Sequence, residues 1–346
     1  RPERTDRVEQ GIDPEAERLE ADTWTKATRA GTTGPVDVAA DNGFAALGLP
    51  ERIVERLARD GITTPFPIQI DTLPDTLAGR DVLGRGRTGS GKTLAFSLPL
   101  VQRLAQQDKA RPGHPIGLVL APTRELALQI AEVIEPLARV VDMDVTTIFG
   151  GVSAKPQEKA LKAGVDVVVA CPGRLEDLMG QGHVDLSAIE VTILDEADHM
   201  ADLGFLPGVK RILDKTPRGS QRMLFSATLD GAINQIVKRY LEQPVTHEAD
   251  SAQSPVAKMT HHVLHIKSTD HLPVLTDLVA APGRKVVFTR TKHRAKKMAR
   301  QLNAAGVPAV ELHGNLSQNA RTRTMEAFHS GTAQTLVATD IAARGI

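Results

Sequence analysis

From residue 44 onward two hydrophobic patterns take turns along this chain. Short runs of consecutive aliphatic residues recur, and each is followed by a longer stretch with apolar positions three and four apart. The runs at Asp81–Arg85, Ile116–Ala121, Asp144–Ile148, Asp166–Ala170, Val191–Leu194 and Met223–Ser226 read as strands. They do not alternate apolar with polar, which is how a parallel sheet buried on both faces is written. Helical spacing follows at Leu94–Leu104, Thr123–Arg139, Ser153–Lys162 and Arg174–Met179, near Gly208, and up to Leu241. Upstream, Leu49–Ala58 puts Ile53, Val54 and Leu57 on one helical face, Gly61 stops that helix, and a second one runs to Leu77. Alternating strands and helices predict a doubly wound α/β domain.

The pattern breaks twice. Residues 1–43 are charged and nearly free of branched aliphatics, and read as a flexible polar tail. Glu248–Ala257 has linker composition, so the linker is placed at 248–258. The first α/β lobe is then 44–247. A second series of strands, at His262–Ile266, Lys285–Phe288, Ala309–Leu312 and Thr335–Ala338, makes 259–346 a second lobe of the same design. It holds fewer strands than a doubly wound sheet usually has and is read as truncated at its C-terminal end.

Composition adds three constraints. Hydrophobic residues are 41% of the chain, enough for packed cores, and aromatic residues only 3%, so those cores are aliphatic. Cys171 is the single cysteine, which excludes an internal disulfide and suits a reducing, cytoplasmic setting. No apolar run approaches the ~20 residues of a membrane helix. Net charge is zero, yet residues 259–346 carry 12 basic and 5 acidic side chains, so a polyanionic partner fits the C-terminal part. The helix Lys292–Arg300 concentrates that charge and reads equally well as a nucleic-acid face or a solvated one.

The chemistry is carried by two local motifs. Gly86–Thr93 reads G-R-T-G-S-G-K-T, between a strand and a helix. Glycines there let backbone N–H groups converge on a phosphate chain at a helix N-terminus, Lys92 reaches the terminal phosphates, and the Thr93 hydroxyl suits Mg²⁺. Asp195-Glu-Ala-Asp198 directly follows the apolar strand Val191–Leu194. Carboxylates at the C-terminal end of a parallel strand stand where such sheets bind ligands, with Asp195 suited to a metal and Glu196 to activating water. A solvated acidic helix start is the bland reading of the same tetrad.

Asp195-Glu-Ala-Asp198 spells the name of the DEAD-box RNA helicases, and the chain over 44–346 resembles that family motif by motif. Gln69 with Gly61, Pro65 and upstream Phe44 resembles the Q motif, and Gly86–Thr93 motif I. Pro122-Thr-Arg-Glu-Leu126 resembles motif Ia, Gly150-Gly151 the glycine pair, and Cys171-Pro-Gly-Arg174 motif Ib. Ser226-Ala-Thr228 resembles motif III and Val287-Phe-Thr289 motif IV. Gln318-x-x-Arg321 and Thr339–Gly345 resemble the next two. The resemblance implies two RecA-like lobes, ATP and Mg²⁺ as cofactors, and an RNA helicase of the bacterial type acting as a monomer on single-stranded RNA or short duplexes without reading sequence. Carried over by position, ATP contacts fall to Phe44, Ile62, Gln69, Arg87, Thr88, Gly89, Ser90, Gly91, Lys92, Thr93 and Gly345. Catalysis falls to Glu196 as general base with Lys92 and Asp195; Thr93 and Asp195 hold the metal. Coupling falls to Ser226, Ala227, Thr228 and Asp198. RNA contacts fall to Pro122, Thr123, Arg124, Gly150, Gly151, Pro172, Gly173 and Arg174, then to Thr289, Gln318, Arg321 and Thr339. For Arg124 an ion pair with Glu125 is the local alternative.

Several positions depart from the family pattern. Ile62 stands where an aromatic is usual, so contact with adenine is aliphatic; Phe66, Gly86 and Cys171 replace Thr, Ala and Thr. Motif VI, whose arginines reach the γ-phosphate, is absent from these residues, and such an arginine is worth ~10³–10⁵ in rate. The expectation is a chain that binds nucleotide and hydrolyses it poorly. Two rivals share most of these motifs: an ATP-gated RNA clamp without strand displacement, and a DNA helicase or general P-loop ATPase.

Overall fold

The computed structural model describes residues 42–86, 89–229, 231–249, 260, 262–267 and 269–339. The tail up to Asp41 and the linker residues 250–258 lie outside them. The chain divides into two compact units after Pro65. In the first, Asn42 Oδ1 accepts from the backbone N–H of Phe44 at 2.9 Å and starts a short helix, α1 (Gly43–Ala46). Helix α2 (Glu51–Arg59) buries Ile53, Val54 and Leu57, the face that its spacing predicts.

The second unit opens with α3 (Pro67–Leu77). A seven-stranded sheet is then laid down in the order β1 (Val82–Gly86), α4 (Lys92–Leu104), β2 (Gly117–Leu120), α5 (Arg124–Val140), β3 (Val145–Ile148), α6 (Lys155–Ala163), β4 (Val167–Ala170), α7 (Pro172–Gly180) and β5 (Val191–Leu194). It is completed by α8 (Ala197–Asp202), α9 (Leu206–Leu213), β6 (Gln221–Ser226), α10 (Gly231–Tyr240) and β7 (Val245–Ala249). The spatial order is β3-β4-β2-β5-β6-β1-β7, and every pairing is parallel. Strands β2, β4, β5 and β6 are buried at every position, the physical reason for their unalternating sequences.

That order sorts the motifs. The segments after β3, β4 and β2 are Gly150-Gly151, Cys171–Arg174 and Pro122–Arg124. Those after β5, β6 and β1 are Asp195–Asp198, Ser226–Thr228 and the phosphate loop. All leave the C-terminal ends of parallel strands, so one sheet edge carries both sets, three adjacent strands to each.

The linker reading at 248 is corrected: Glu248 and Ala249 close β7, whose residues pair with β1 from Val82↔Val245 to Gly86↔Ala249. A buried Arg222 secures the same region. Its Nη1 donates to the Tyr240 carbonyl at 2.7 Å, and its Nη2 donates to Thr216 Oγ1 at 3.1 Å and the Pro217 carbonyl at 2.9 Å. Its backbone N–H donates to Asp81 Oδ1, whose Oδ2 accepts from the N–H of Glu242, each at 2.7 Å. Truncation strands two buried acceptors and one partly buried one, so Arg222→Ala is expected to cost roughly 3 kcal/mol, read as a lower midpoint in urea unfolding with unchanged slope.

A second sheet contains β8 (Lys285–Thr289), β9 (Ala309–Leu312) and β10 (Thr335–Thr339), in the order β8-β10-β9 and parallel. Around it lie α11 (His271–Ala280), α12 (Lys292–Ala304) and α13 (Gln318–His329). Helix α12 buries Ala295, Ala299 and Leu302 and turns Lys292, Arg294, Lys296, Lys297 and Arg300 to solvent. The strand expected at His262–Ile266 does not form: these residues pair with no strand among those described, and β8 is bonded only to β10. A strand exists only where a neighbour takes up its backbone groups, which an aliphatic run cannot announce.

Candidate nucleotide site and nucleic-acid interface

The phosphate loop leaves β1 at Gly86 and enters α4 at Lys92. Arg87 and Thr88 lie outside the described residues. Gly91 has φ 88°, and a Cβ there would also press on Gln69 Nε2 and Phe66, so only glycine fits. Lys92 is buried and its Nζ donates to the carbonyl of Gly86, while Thr93 is half-buried beside it. Gln69 is 0% exposed. Its Oε1 accepts from the N–H of Phe66 at 2.9 Å, the back-bond of a third helical residue to its own cap, and its Nε2 donates to the Gly91 carbonyl at 2.9 Å. Gln69 thus ties the start of α3 to the end of the loop. Phe44, buried, and Ile62, half-buried, belong to the first unit.

Beyond β5, Asp195 is 3% exposed and its Oδ1 accepts from the N–H of Glu196 at 2.9 Å. Burial pushes its carboxyl up to about 6, against the pull of the nearby Lys92 charge. Glu196 holds a left-handed backbone (φ 49°, ψ 52°), which costs a non-glycine residue roughly 1–2 kcal/mol. Its Oε2 lies 3.2 Å from Nδ1 of His199. Asp198 turns the other way. Its Oδ2 accepts from both the N–H and the hydroxyl of Thr228 at 3.1 Å, and its own N–H donates to Ser226 Oγ at 3.3 Å. The Ser226 hydroxyl in turn donates to the Thr228 carbonyl at 2.7 Å. The tetrad after β5 and the Ser-Ala-Thr segment after β6 are therefore one bonded unit, with Ala227 exposed at its turn.

On the other half of the edge, Thr123 caps α5, its Oγ1 accepting from the N–H of Leu126 at 3.2 Å. Arg124 lays its guanidinium against Gly151, where φ is 78° and any Cβ would meet it. Pro122 and Pro172 are buried supports, and Gly150 and Gly173 have open space at their Cα. Arg174 Nη2 donates to the Val152 carbonyl at 3.2 Å, joining the segments after β3 and β4. Cys171 beside it has its thiol pushed up to about 12, chiefly by burial, so it stays protonated.

In the second sheet Thr289 and Thr339 are register partners at the ends of β8 and β10. The Thr289 hydroxyl donates to the carbonyls of Thr291 and Ala338, each at 3.4 Å. Gln318 opens α13. Arg321 is drawn into the protein. It is 8% exposed, its Nε donates to Glu125 Oε1 at 2.6 Å, and its Nη1 donates to the His313 carbonyl at 3.3 Å. The guanidinium thereby links α13 to Glu125 of α5 and to the chain at His313. Gly345 lies outside the described residues.

A sequence profile described as "DEAD/DEAH box helicase" matches residues 66–236, and one described as "Helicase conserved C-terminal domain" matches residues 270–346. The chain belongs to the DEAD-box helicase family. It is 40% identical over 331 residues to the maize "DEAD-box ATP-dependent RNA helicase 3A, chloroplastic", covering 90% of this chain and 44% of that one. With the "DEAD-box ATP-dependent RNA helicase CshA" of Geobacillus kaustophilus it shares 36% over 305 residues, 88% of this chain and 64% of the other. The chain thus spans less than half the length of its maize relative. A solved structure titled "S. cerevisiae Dbp5 bound to RNA and ADP BeF3" superposes with a TM-score of 0.75 at 29% identity, over 88% of this chain and 78% of that one. The two sheets are those of RecA-like lobes.

Within this DEAD-box chain, sequence reasoning overlooked two site residues. Glu125 was weighed only as a local partner of Arg124, whereas Arg321, 196 positions away, takes one of its oxygens. His199 was passed over. Its only signal was an imidazole one residue past the tetrad.

Proposed function

We propose that this chain is the nucleotide- and RNA-binding core of an ATP-dependent RNA helicase, which couples ATP turnover to local opening of short RNA duplexes or to remodelling of RNA–protein complexes. The observation that supports this reading is the bonded unit of Asp198, Ser226 and Thr228, which lies between the phosphate loop and the segments after β2, β4 and β3 on the same sheet edge.

In this reading the loop N–H groups and Lys92 bind the triphosphate, the latter exchanging the Gly86 carbonyl for phosphate oxygens. Gln69, with its amide engaged by Phe66 and Gly91, holds the loop in place. Glu196 accepts the proton of the attacking water at a carboxylate oxygen, and Lys92 offsets charge on the terminal phosphate. The residues present fit Mg²⁺: Asp195 is a carboxyl that burial holds above its ordinary range despite the Lys92 charge and the Glu196 backbone N–H, and Thr93 offers a hydroxyl next to the loop. Once bound there, Mg²⁺ would supply charge neutralisation between the phosphates.

Arg124, Arg174 and the N-termini of α5 and α7 offer donors to a phosphate backbone, with Thr289 and Thr339 on the second sheet. Such contacts position a strand and carry no base readout, so the RNA is bound without sequence preference. Loss of the γ-phosphate would be felt at Asp195–Asp198 and passed through Asp198 to Thr228. ATP hydrolysis measured with single-stranded RNA and with DNA of the same sequence tests the proposal. Stimulation by RNA alone is expected, and equal stimulation by both would replace it with a general nucleic-acid-dependent ATPase.

A further inference from the structure

His199 occupies the third position of α8, is 3% exposed, and points Nδ1 at Oε2 of Glu196 from 3.2 Å. Its Nε2 is equally buried and has no hydrogen-bond partner among the described residues. These two facts fix the ring. With the proton on Nε2, a buried donor would go unused and a lone pair would face a carboxylate oxygen; with the proton on Nδ1, the ring donates to Glu196. The partner carboxylate hangs from a left-handed backbone position that the first turn of α8 alone does not steer.

We propose that His199 is a positioning residue for ATP hydrolysis: its Nδ1–H holds one oxygen of Glu196, so that the other faces the attacking water. This rests on the assignment of Glu196 as general base made above. A carboxylate on a two-bond side chain has several rotamers, and a general base works only from within hydrogen-bond reach of the proton that it takes. Burial of the imidazole, with its other nitrogen unengaged, leaves orientation of Glu196 as the one polar contact that the side chain makes among the described residues.

His199→Leu fills the same space and removes the donor. Single-turnover hydrolysis, with the chain in excess over radiolabelled ATP, is expected to slow by about 10- to 100-fold, with the dissociation constant of a fluorescent ATP analogue and the melting temperature little changed. His199→Asn, whose amide N–H sits near the place of Nδ1, is expected to restore the rate to within about threefold of the parent. Long-range ¹H–¹⁵N spectra of histidine-labelled protein should show His199 protonated on Nδ1, with that nitrogen moved by Glu196→Gln. A parent-like rate in His199→Leu, or an Nε2–H tautomer, would overturn the proposal. If Glu196→Gln itself hydrolyses as fast as the parent, the assignment of the base fails and the role of His199 falls with it, a result distinguishable because the nitrogen shifts still report whether the contact exists.

Discussion

Glu196→Gln is expected to slow single-turnover ATP hydrolysis by ~10²–10⁴-fold, the contribution usual for a positioned proton acceptor, while nucleotide affinity stays within a small factor of the parent. The substitution is nearly isosteric. Its amide oxygen can still accept from His199, and the backbone N–H that bonds Asp195 is untouched. Lys92, the phosphate loop and the Asp198–Thr228 contacts also remain, so binding and local structure are preserved and only the basic site is lost. Enzyme in excess over labelled ATP makes even slow turnover measurable. A parallel loss of affinity would point to a binding role for Glu196, and an unchanged rate would remove it from the mechanism.

Asp195→Asn is expected to stabilise the nucleotide-free, metal-free chain above pH 6 and to do nothing below pH 4. The folded protein holds the Asp195 carboxyl at about 6, against an ordinary value of 3.8, because burial penalises its charge more than Lys92 relieves it. A raised carboxyl favours the folded state only while it is protonated. That advantage is complete below the unfolded value and disappears as pH rises through 6. Asparagine keeps the shape and never ionises. The difference in unfolding free energy between variant and parent should therefore grow from near zero at pH 4 to about 3 kcal/mol at pH 8. Urea unfolding of both proteins in chelator at pH 4, 6 and 8 measures it. A difference that does not change with pH would mean that Asp195 is compensated in the fold itself. A cation bound beside Asp195, as proposed for Mg²⁺, would relieve this cost at neutral pH.

The local chemistry of this protein was legible in its residues because each element of it is contiguous. Gly86–Thr93 states its turn glycines, its lysine and its helix start within eight positions, and Val191–Leu194 announces the strand that delivers Asp195 and Glu196. The buried parallel sheet was likewise legible, since full burial on two faces leaves an unbroken aliphatic run. Strand β7 escaped notice because Val245–Ala249 mixes threonine, histidine and glutamate and is a strand only through its pairing with β1. His262–Ile266 failed for the converse reason: its aliphatic residues meet no partner strand among the described residues.

Sequence by itself supplied the motif residues proposed to meet a nucleotide and most of the strands in their chain order. Tertiary structure decided where those groups spend their hydrogen bonds. It turned Gln69 inward onto Gly91, sent Arg321 to Glu125 across 196 positions, closed Asp198 onto Thr228 and buried His199 against Glu196. The reason is physical: a motif specifies residues a few positions apart, where the chain itself enforces proximity. A polar side chain buried between segments bonds whatever partner the sheet order brings to it, and that partner is nowhere marked in the local sequence.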